Sequence, residues 1–534
     1  MRRRPSDMRV ALRHPAPLRR QPCARMRAAC ATRALLRPLS AAAALPSVAA
    51  AIAVVVCALA SREASASQAK ELWYRISIDG TDAGWQRMSE SSDPRGVRSA
   101  SESYLRVSRD GASTEIRISW ELLESADGTP IECTLEQRVG ASPSRTRAEF
   151  AADGVSVRTD GGGREVAQRL PALPPGCLGP AASGRHIDAQ RAAGASRIAC
   201  TTIDPASGLG PIGIVTVPAA GHRCWSTTTT VVPAAMTECL DEYGDVVRAE
   251  SPLGIGTFVL TRMDRALAQA PLPGGATGVD VLRRSVVEVR PLADGLLTAQ
   301  RAVVTARARS GTMLPLPSSG AQRVETAPDG ASARVEVDAT RGTAASESEL
   351  ADPRYRNASP VIDCDDASIR SAVQRAVASA PSSDAARAEV LRALVHRHIT
   401  GKDLASVFAS ASSVMRDRRG DCTEHAVLLA AMLRAAGIPS RLAAGMVYAR
   451  EFAGVRGCYA WHMWTQALVD GEWRDLDATL ADRPFHAGHI LVMTGAQDGP
   501  SIDPAFAGMV TAVGNLSVSV ESVDGSPVQR GTAP

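Results

Sequence analysis

Lysine is almost absent from this sequence, since Lys70 and Lys402 stand against 58 arginines among 534 residues. With alanine so frequent, this imbalance is typical of a GC-rich genome. A net positive charge is also lacking outside the N-terminus. The chain carries +4 overall, and residues 1–40 hold eleven arginines and one acid, a net +10, which leaves −6 for the remainder. A basic surface for nucleic acid is therefore not expected.

The chain shows no fixed-period repeat. Apolar residues make up 45% and charged residues 22%, a balance typical of globular proteins. At 534 residues the chain is too long for one hydrophobic core. We therefore expect two to four domains.

The N-terminus reads as a targeting segment, residues 1–66. An arginine-rich stretch leads into an uncharged run at residues 39–60, and Ala-Ser-Ala at 64–66 fits a signal-peptide cleavage site. The charged stretch is long for a signal, so Met26 is a candidate start. We expect an exported protein, periplasmic or extracellular. The alternative is a retained membrane anchor facing outward, because the run is long enough to span a bilayer.

Export changes the interpretation of the cysteines, because disulfides persist outside the cytoplasm. Cys23, Cys30 and Cys57 lie in the N-terminal segment, which leaves eight of the eleven cysteines. Four of the eight are close in sequence and could form one or two bridges: Cys177, Cys200, Cys224 and Cys239. If one of the eight must stay a thiol, seven remain. Since an odd number cannot all pair, at least one more is unpaired.

Strand patterns dominate the chain before residue 350. Residues 68–266 alternate apolar and polar positions, and several runs end in Asp-Gly, a strong hairpin signal. We predict one or more antiparallel β-rich domains there, with a loop at 169–180. A linker at 267–284 and a small β-rich section at 285–350 follow. No chemistry is apparent in these regions.

The pattern changes to helices at 351–500. Apolar residues recur at helical spacing, Ser382 or Ser383 caps one predicted helix, and another runs from 422 to 436 with Gly437 as its stop. Alternating strands follow, with an Asp470-Gly471 hairpin turn. We predict an α+β domain. Residues 501–534 read as C-terminal strands and a frayed tail.

Cys422 begins the predicted helix, in "GDCTEH". A lone cysteine is most often a small buried hydrophobe. Here the first turn of a helix surrounds the sulfur with unpaired N–H groups and the positive end of the helix dipole, and both favour the thiolate. Cys422 is therefore a candidate nucleophile.

A histidine and a carboxylate lie on the following hairpin. Pairing about Asp470-Gly471 puts position 464 opposite Asp477 and makes His462 its diagonal neighbour on the same face. His462 is then a candidate general base, and Asp477 a candidate to fix its tautomer. Asp475 shares that face, but it lies nearer the turn, opposite Gln466. We therefore prefer Asp477.

Other side chains around Cys422 have supporting roles in this interpretation. Asp421, Glu424 and Trp464 are expected to pack beside the three reactive groups, and His425 is expected on the helix face. Histidine pairs, including His486 with His489, suggest a metal, but none repeats the spacing of a known zinc module. We expect no metal and no cofactor. Cys458 is predicted in a loop.

The segments "GDCTEHAVLLAAMLRAAGIPSR", "WHMWTQALVDGEW" and "LDATL" resemble the transglutaminase-like superfamily, in particular its exported bacterial members. The resemblance covers about residues 351–500. It implies a papain-like core with a Cys422–His462–Asp477 triad. It also implies acyl transfer through a thioester on a protein or peptide substrate with a glutamine or amide group.

The resemblance does not decide the acceptor. An amine would give transamidation, and water would give deamidation or proteolysis. Two lysines in the whole chain leave little scope for self-cross-linking. The alternative function is a non-catalytic transglutaminase-like scaffold or binding protein of the cell envelope.

Overall fold

A computed structural model describes residues 70–528, except 110–111, 140–141, 162–163, 232–234, 254–255, 273–278, 281–285, 310–314, 379, 402–408 and 498–514. The predicted targeting segment lies outside the described residues. Within the described ranges, no helix has the length and apolar character needed to cross a membrane.

Strands make up most of the described chain before residue 350, as predicted. Those up to residue 280 form one large antiparallel sheet in the order β8-β7-β6-β5-β4-β3-β2-β1-β14-β13-β12-β11-β10-β9, with β15 parallel to β3. Its strands are β1 (Lys70–Ile78), β2 (Thr81–Asp93), β3 (Gly96–Arg109), β4 (Ala112–Glu124), β5 (Pro130–Val139), β6 (Ser142–Ala151), β7 (Gly154–Gly161), β8 (Arg164–Leu170), β9 (Ile198–Ile203), β10 (Pro211–Pro218), β11 (Cys224–Thr229), β12 (Met236–Leu240), β13 (Val246–Leu253), β14 (Gly256–Met263) and β15 (Val279–Asp280).

A helix in this region was not predicted. Helix α1 (Pro180–Ala192) follows the loop expected at 169–180. Its N-cap residue, Gly179, has no side chain to cap it. Glu124 at the end of β4 does so instead, because its carboxylate accepts hydrogen bonds from the N–H groups of Ala181 (3.1 Å) and Ala182 (2.7 Å). The cap comes from a distant strand, so the local sequence could not show it.

One of the two possible bridges among the four clustered cysteines forms. Cys224 and Cys239 face each other on β11 and β12 and are joined by a disulfide. Cys177 and Cys200 are free thiols.

The helices gather in the C-terminal half. They are α2 (Arg265–Ala268), α3 (Glu347–Ala351), α4 (Ala367–Val377), α5 (Asp384–His398), α6 (Ala411–Asp417) and α7 (Cys422–Ala435), with two 3₁₀ turns at Asp294–Leu297 and Pro353–Tyr355. Ser383 caps α5 through its side chain, as predicted. Gly437 follows α7 with φ 82° and ends it, also as predicted. Since α7 is buried on nearly all sides, it forms the centre of this region.

A second antiparallel sheet packs against α7 in the order β20-β23-β22-β21-β24, with β16 also pairing with β22. The strands are β16 (Val287–Glu288), β20 (Thr343–Ala344), β21 (Ser440–Phe452), β22 (Val455–Val469), β23 (Glu472–Leu476) and β24 (His489–Gly495). Asp470 (φ 52°) and Gly471 (φ 78°) form the predicted turn between β22 and β23. Gln466 pairs with Asp475, which is the predicted register.

A third sheet has the order β18-β19-β17-β25-β26. Its strands are β17 (Arg301–Ala308), β18 (Gln322–Thr326), β19 (Ser332–Asp338), β25 (Leu516–Val523) and β26 (Ser526–Pro527). The C-terminal strand β25 therefore pairs with the section predicted at 285–350. The predicted domain boundaries remain predictions.

Cys458 was expected in a loop, and that expectation was wrong. It lies within β22, is fully buried and pairs with Ala449 on β21. The fold class is confirmed: the protein is α+β, with a helical and antiparallel C-terminal domain preceded by a β-rich region.

Candidate active site

Cys422 is the first residue of α7, and close packing of the chain before it sets the start of the helix. A Cβ on Gly420 would lie 2.3 Å from the Cβ of Glu424, so only glycine lets the two segments approach this closely. Cys422 is fully buried. Its sulfur lies at the N-terminal end of a 14-residue helix, the position expected from the sequence.

Asp421 and Glu424 close the start of α7 as a capping box. The Asp421 carboxylate accepts from the N–H of Thr423 (2.8 Å), and Glu424 accepts from the N–H of Asp421 (3.0 Å). Burial and then the charge of Asp421 raise the pKa of Glu424 well above its usual value. His425 donates to the carbonyl oxygen of Asp421, so it supports the helix start.

His462 lies in the middle of β22, the strand that packs against α7. The hydroxyl of Thr465 donates to the carbonyl oxygen of Ala426 in α7 (3.0 Å), which ties strand and helix together. On β21, Gly445 is opposite His462, and a Cβ there would lie 2.0 Å from the carbonyl oxygen of Ile490. The missing side chain therefore lets β24 approach the site closely.

Asp477 directly follows β23, and its carboxylate is bonded on both sides. Its Oδ2 lies 2.8 Å from Nε2 of His462. Its Oδ1 accepts from the N–H (2.8 Å) and the hydroxyl (2.6 Å) of Thr479. Buried Arg392 of α5 donates to the carbonyl oxygens of Asp477 and Leu480, which holds this loop in place.

The electrostatics of the pair follow from its burial. Burial alone would lower the pKa of His462, but the charge and hydrogen bond of Asp477, with a further contribution from the Cys422 sulfur, raise it to about 10. Burial would raise the pKa of Asp477, but His462 and then His489 hold it well below its usual value. The pair is therefore an ion pair at neutral pH.

The Cys422 sulfur contributes to the raised pKa of His462, so it lies beside the ring. Nε2 of His462 is engaged by Asp477, and Nδ1 is buried and forms no hydrogen bond among the described residues, so Nδ1 is the ring nitrogen left for the sulfur. The three side chains thus follow one another in the order sulfur, imidazole, carboxylate.

Asp475 and Trp464 form a separate structural pair. The indole N–H of Trp464 donates to Asp475 (2.7 Å), and so does the side-chain amide of Gln466 (2.9 Å). The second oxygen of Asp475 accepts from the N–H of Ala321 (2.7 Å). Trp464 also stacks on His462, with the ring centroids 6.1 Å apart. It is therefore adjacent to the site, while Asp475 does not reach the imidazole.

His489, at the start of β24, also reaches the site, a role that was not predicted. Its Nε2 lies 3.1 Å from the same Oδ2 of Asp477. Ligand atoms of His462, Asp477 and His489 all lie within 4.8 Å of one another, close enough to hold a metal ion. A signal was present in the His486-x-x-His489 pair, but only the pairing of β24 with β21 brings His489 to Asp477.

The helix start and the hairpin together define an α+β fold in which a helix, a strand and the turn after the next strand meet at one site. The sequence model of the Transglutaminase-like superfamily matches residues 371–478, which include Cys422, His462 and Asp477. These residues belong to the transglutaminase-like superfamily. A search of curated proteins gave no match.

Three solved structures are similar. A candidate cysteine protease from Cytophaga hutchinsonii is 16% identical and covers 44% of this chain and 90% of its own, with a TM-score of 0.26. The periplasmic domain of TgpA from Pseudomonas aeruginosa, bound to ethylmercury, is 17% identical and covers 35% of this chain and 92% of its own, with a TM-score of 0.21. A candidate protease from Parabacteroides distasonis ATCC 8503 is 11% identical and covers 72% of this chain and 70% of its own, with a TM-score of 0.17. The family assignment rests on the sequence match.

Proposed function

We propose that the protein is a cysteine-dependent acyl-transfer enzyme acting on amide or peptide bonds through a thioester. One observation carries this proposal: His462, hydrogen-bonded to Asp477 at 2.8 Å, has its other ring nitrogen left for the sulfur of Cys422. Because the pKa of His462 is raised to about 10, the ring is an imidazolium at neutral pH. A protonated imidazole at this place can give its proton to a leaving nitrogen.

The chemistry then runs in two steps. The Cys422 thiolate attacks an amide carbonyl carbon, and His462 gives its proton to the leaving nitrogen as the C–N bond breaks and the C–S bond remains. An amine or a water molecule next attacks the thioester, gives a proton to His462 and restores the thiolate. Asp477 holds the imidazole in the required tautomer throughout.

The start of α7 offers one donor for the oxyanion that forms in each step. The N–H of Cys422 is at the first helical position, where N–H groups have no partner within the helix. Among the described residues it forms no hydrogen bond. It therefore supports a role in stabilising the tetrahedral intermediate.

The alternative, a non-catalytic scaffold, is favoured by one observation: Cys422 is 0% and His462 1% exposed. A peptide can reach the sulfur only after the site opens locally. Incubating the purified protein with a glutamine-peptide library, with and without an amine donor, distinguishes the functions. Mass spectrometry should show transamidated, deamidated or cleaved peptides with wild type and none with Cys422→Ala. Unchanged peptides with wild type would favour the scaffold.

We also propose that the protein is exported, on the strength of residues 1–66 alone. N-terminal sequencing of the mature protein after cell fractionation tests this. Cleavage after residue 66 indicates a secreted protein, an intact run at 39–60 in the membrane fraction indicates an anchor, and a cytoplasmic full-length chain contradicts export.

A further inference from the structure

Two imidazoles share one carboxylate oxygen at the centre of the site. Oδ2 of Asp477 lies 2.8 Å from Nε2 of His462 and 3.1 Å from Nε2 of His489. All three side chains are nearly completely buried. The proposed acyl-transfer steps use only His462, so His489 is a buried titratable group without a role in them.

The hydrogen-bond partners of His489 fix where its protons are. Its Nδ1 lies 2.9 Å from the carbonyl oxygen of His486, and a carbonyl oxygen only accepts. Its Nε2 faces the carboxylate of Asp477, which is ionised and also only accepts. Both ring nitrogens of His489 therefore lie against hydrogen-bond acceptors.

The other oxygen of Asp477 cannot take over this contact, because Thr479 already gives Oδ1 two hydrogen bonds. Thr479 and His489 thus hold the carboxylate from opposite ends. This leaves Oδ2 directed at His462. The hydrogen bond between Oδ2 and Nε2 then allows only one rotation of the His462 ring.

We infer that His489 is a positioning residue, which orients the carboxylate of Asp477 for His462. A buried carboxylate is costly unless its oxygens are hydrogen-bonded, and His489 and Thr479 supply such bonds on either side of the contact with His462. This inference rests on the proposed function.

Aromatic rings pack around His489 and restrict the position of its imidazole. Phe485 stacks on the ring at 4.2 Å between centroids, and Trp464 meets it edge-on at 5.1 Å. The titratable groups that face it are Asp477, His462, His486 and Asp475. A metal ion held by the same three ligands would require both Nε2 atoms to lose their protons. The 2.8 and 3.1 Å separations are normal N–H···O lengths.

Three substitutions separate positioning from packing. His489→Gln can place an amide N–H where Nε2 donates to Asp477. His489→Asn can place one only where Nδ1 donates to the His486 carbonyl, and His489→Leu retains neither donor. The readout is the rate at which iodoacetamide labels the Cys422 peptide, measured by mass spectrometry. Cys458, which is equally buried and also free, is the control within each protein. His398→Leu, elsewhere in the same domain, is the matched control variant.

We expect His489→Leu and His489→Asn to slow labelling of Cys422 about tenfold or more, as loss of an outer hydrogen-bond partner does elsewhere. His489→Gln should stay close to wild type, and His398→Leu should have no effect on Cys422. If the Leu variant does not fold, the Gln and Asn pair decides.

Equal Cys422 labelling rates in wild type and all His489 variants, with His462→Ala still slow, would overturn the inference about His489 and leave the proposed function standing. A Gln variant as slow as the Leu variant would do the same, and so would a stoichiometric metal in the purified protein whose removal by EDTA abolishes labelling. If wild-type Cys422 labels no faster than Cys458, the proposed function fails and the inference fails with it.

Discussion

The Nε2 atom of His462 and the Oδ2 atom of Asp477 are 2.8 Å apart, and each side chain is about 1% exposed. Water cannot replace either partner at this depth, so each depends on the other for its charged state. The relationship matters for chemistry as well as for stability, because the same imidazole faces Cys422.

Asp477→Asn should therefore abolish most of the activity while the fold survives. Asparagine keeps the shape of the side chain but removes its charge, and it can stabilise the wrong tautomer of His462. We expect turnover to fall by a factor of about 10⁴, as in other triads with this change. Turnover of any peptide found in the library assay is the measurement, with circular dichroism as the check on folding.

Asp475→Asn is the matched control on the same hairpin. Asp475 accepts from Trp464, Gln466 and Ala321 and does not contact His462. Its replacement should cost stability, about 1–3 kcal/mol for the disturbed buried hydrogen bonds, with a much smaller effect on turnover. Equal loss of turnover in the two variants would contradict the separate roles.

Stability should fall at alkaline pH because of His462. Histidine titrates near 6.5 in an unfolded chain, whereas the pKa of folded His462 is raised to about 10. The stabilisation is therefore fully present below about pH 6.5 and is lost as the pH rises towards 10. Urea unfolding between these values should show the decline in wild type and a flatter profile in His462→Gln. Asp477 acts in the opposite sense, since its lowered pKa gives stability that is lost only in acid.

Glu424 should contribute to stability as a buried hydrogen-bond acceptor. It is fully buried beside Asp421, and its two carboxyl oxygens accept from the N–H groups of Asp421 and Ala409. Glu424→Ala should lower the free energy of unfolding at pH 7 by about 1–3 kcal/mol because it orphans both N–H groups, whereas Glu424→Gln keeps one acceptor oxygen and should lower it less. Chemical denaturation measures both, and equal losses in the two variants would contradict this role.

The Cys224–Cys239 disulfide should stabilise the β-rich region without affecting the site. It closes a loop with a sequence separation of 15 residues, and a loop of this size is expected to contribute about 3 kcal/mol. Cys224→Ala with Cys239→Ala should lower the free energy of unfolding by that amount. Labelling of Cys422 should not change. A change in Cys422 labelling would show that the regions are coupled.

Much of the site was predictable because its signals are local. Asp470-Gly471 sets the register of the hairpin, which puts His462 and Asp477 on one face, and Gly437 ends the helix that begins at Cys422. The distinction between Asp477 and Asp475 also followed from that register. The roles of the three residues remain predictions.

The features that were missed depend on contacts between distant segments. Helix α1 is capped by Glu124, 57 residues before Ala181. His489 reaches Asp477 only because β24 pairs with β21 beside Gly445. Cys458 seemed to lie in a loop, yet β22 begins at Val455 and includes it. Pairing between segments far apart in sequence leaves no local pattern to detect.

The most direct measurement is the alkylation rate of Cys422 relative to Cys458, in wild type and in His462→Ala, by peptide-resolved mass spectrometry at neutral pH. Both thiols are fully buried, so a difference between their alkylation rates reflects reactivity and not a difference in exposure. The account predicts that Cys422 labels faster than Cys458 in wild type. His462→Ala should slow Cys422 by about a hundredfold or more and leave Cys458 unchanged. Equal rates for the two thiols in wild type, or a Cys422 rate indifferent to His462, would contradict it.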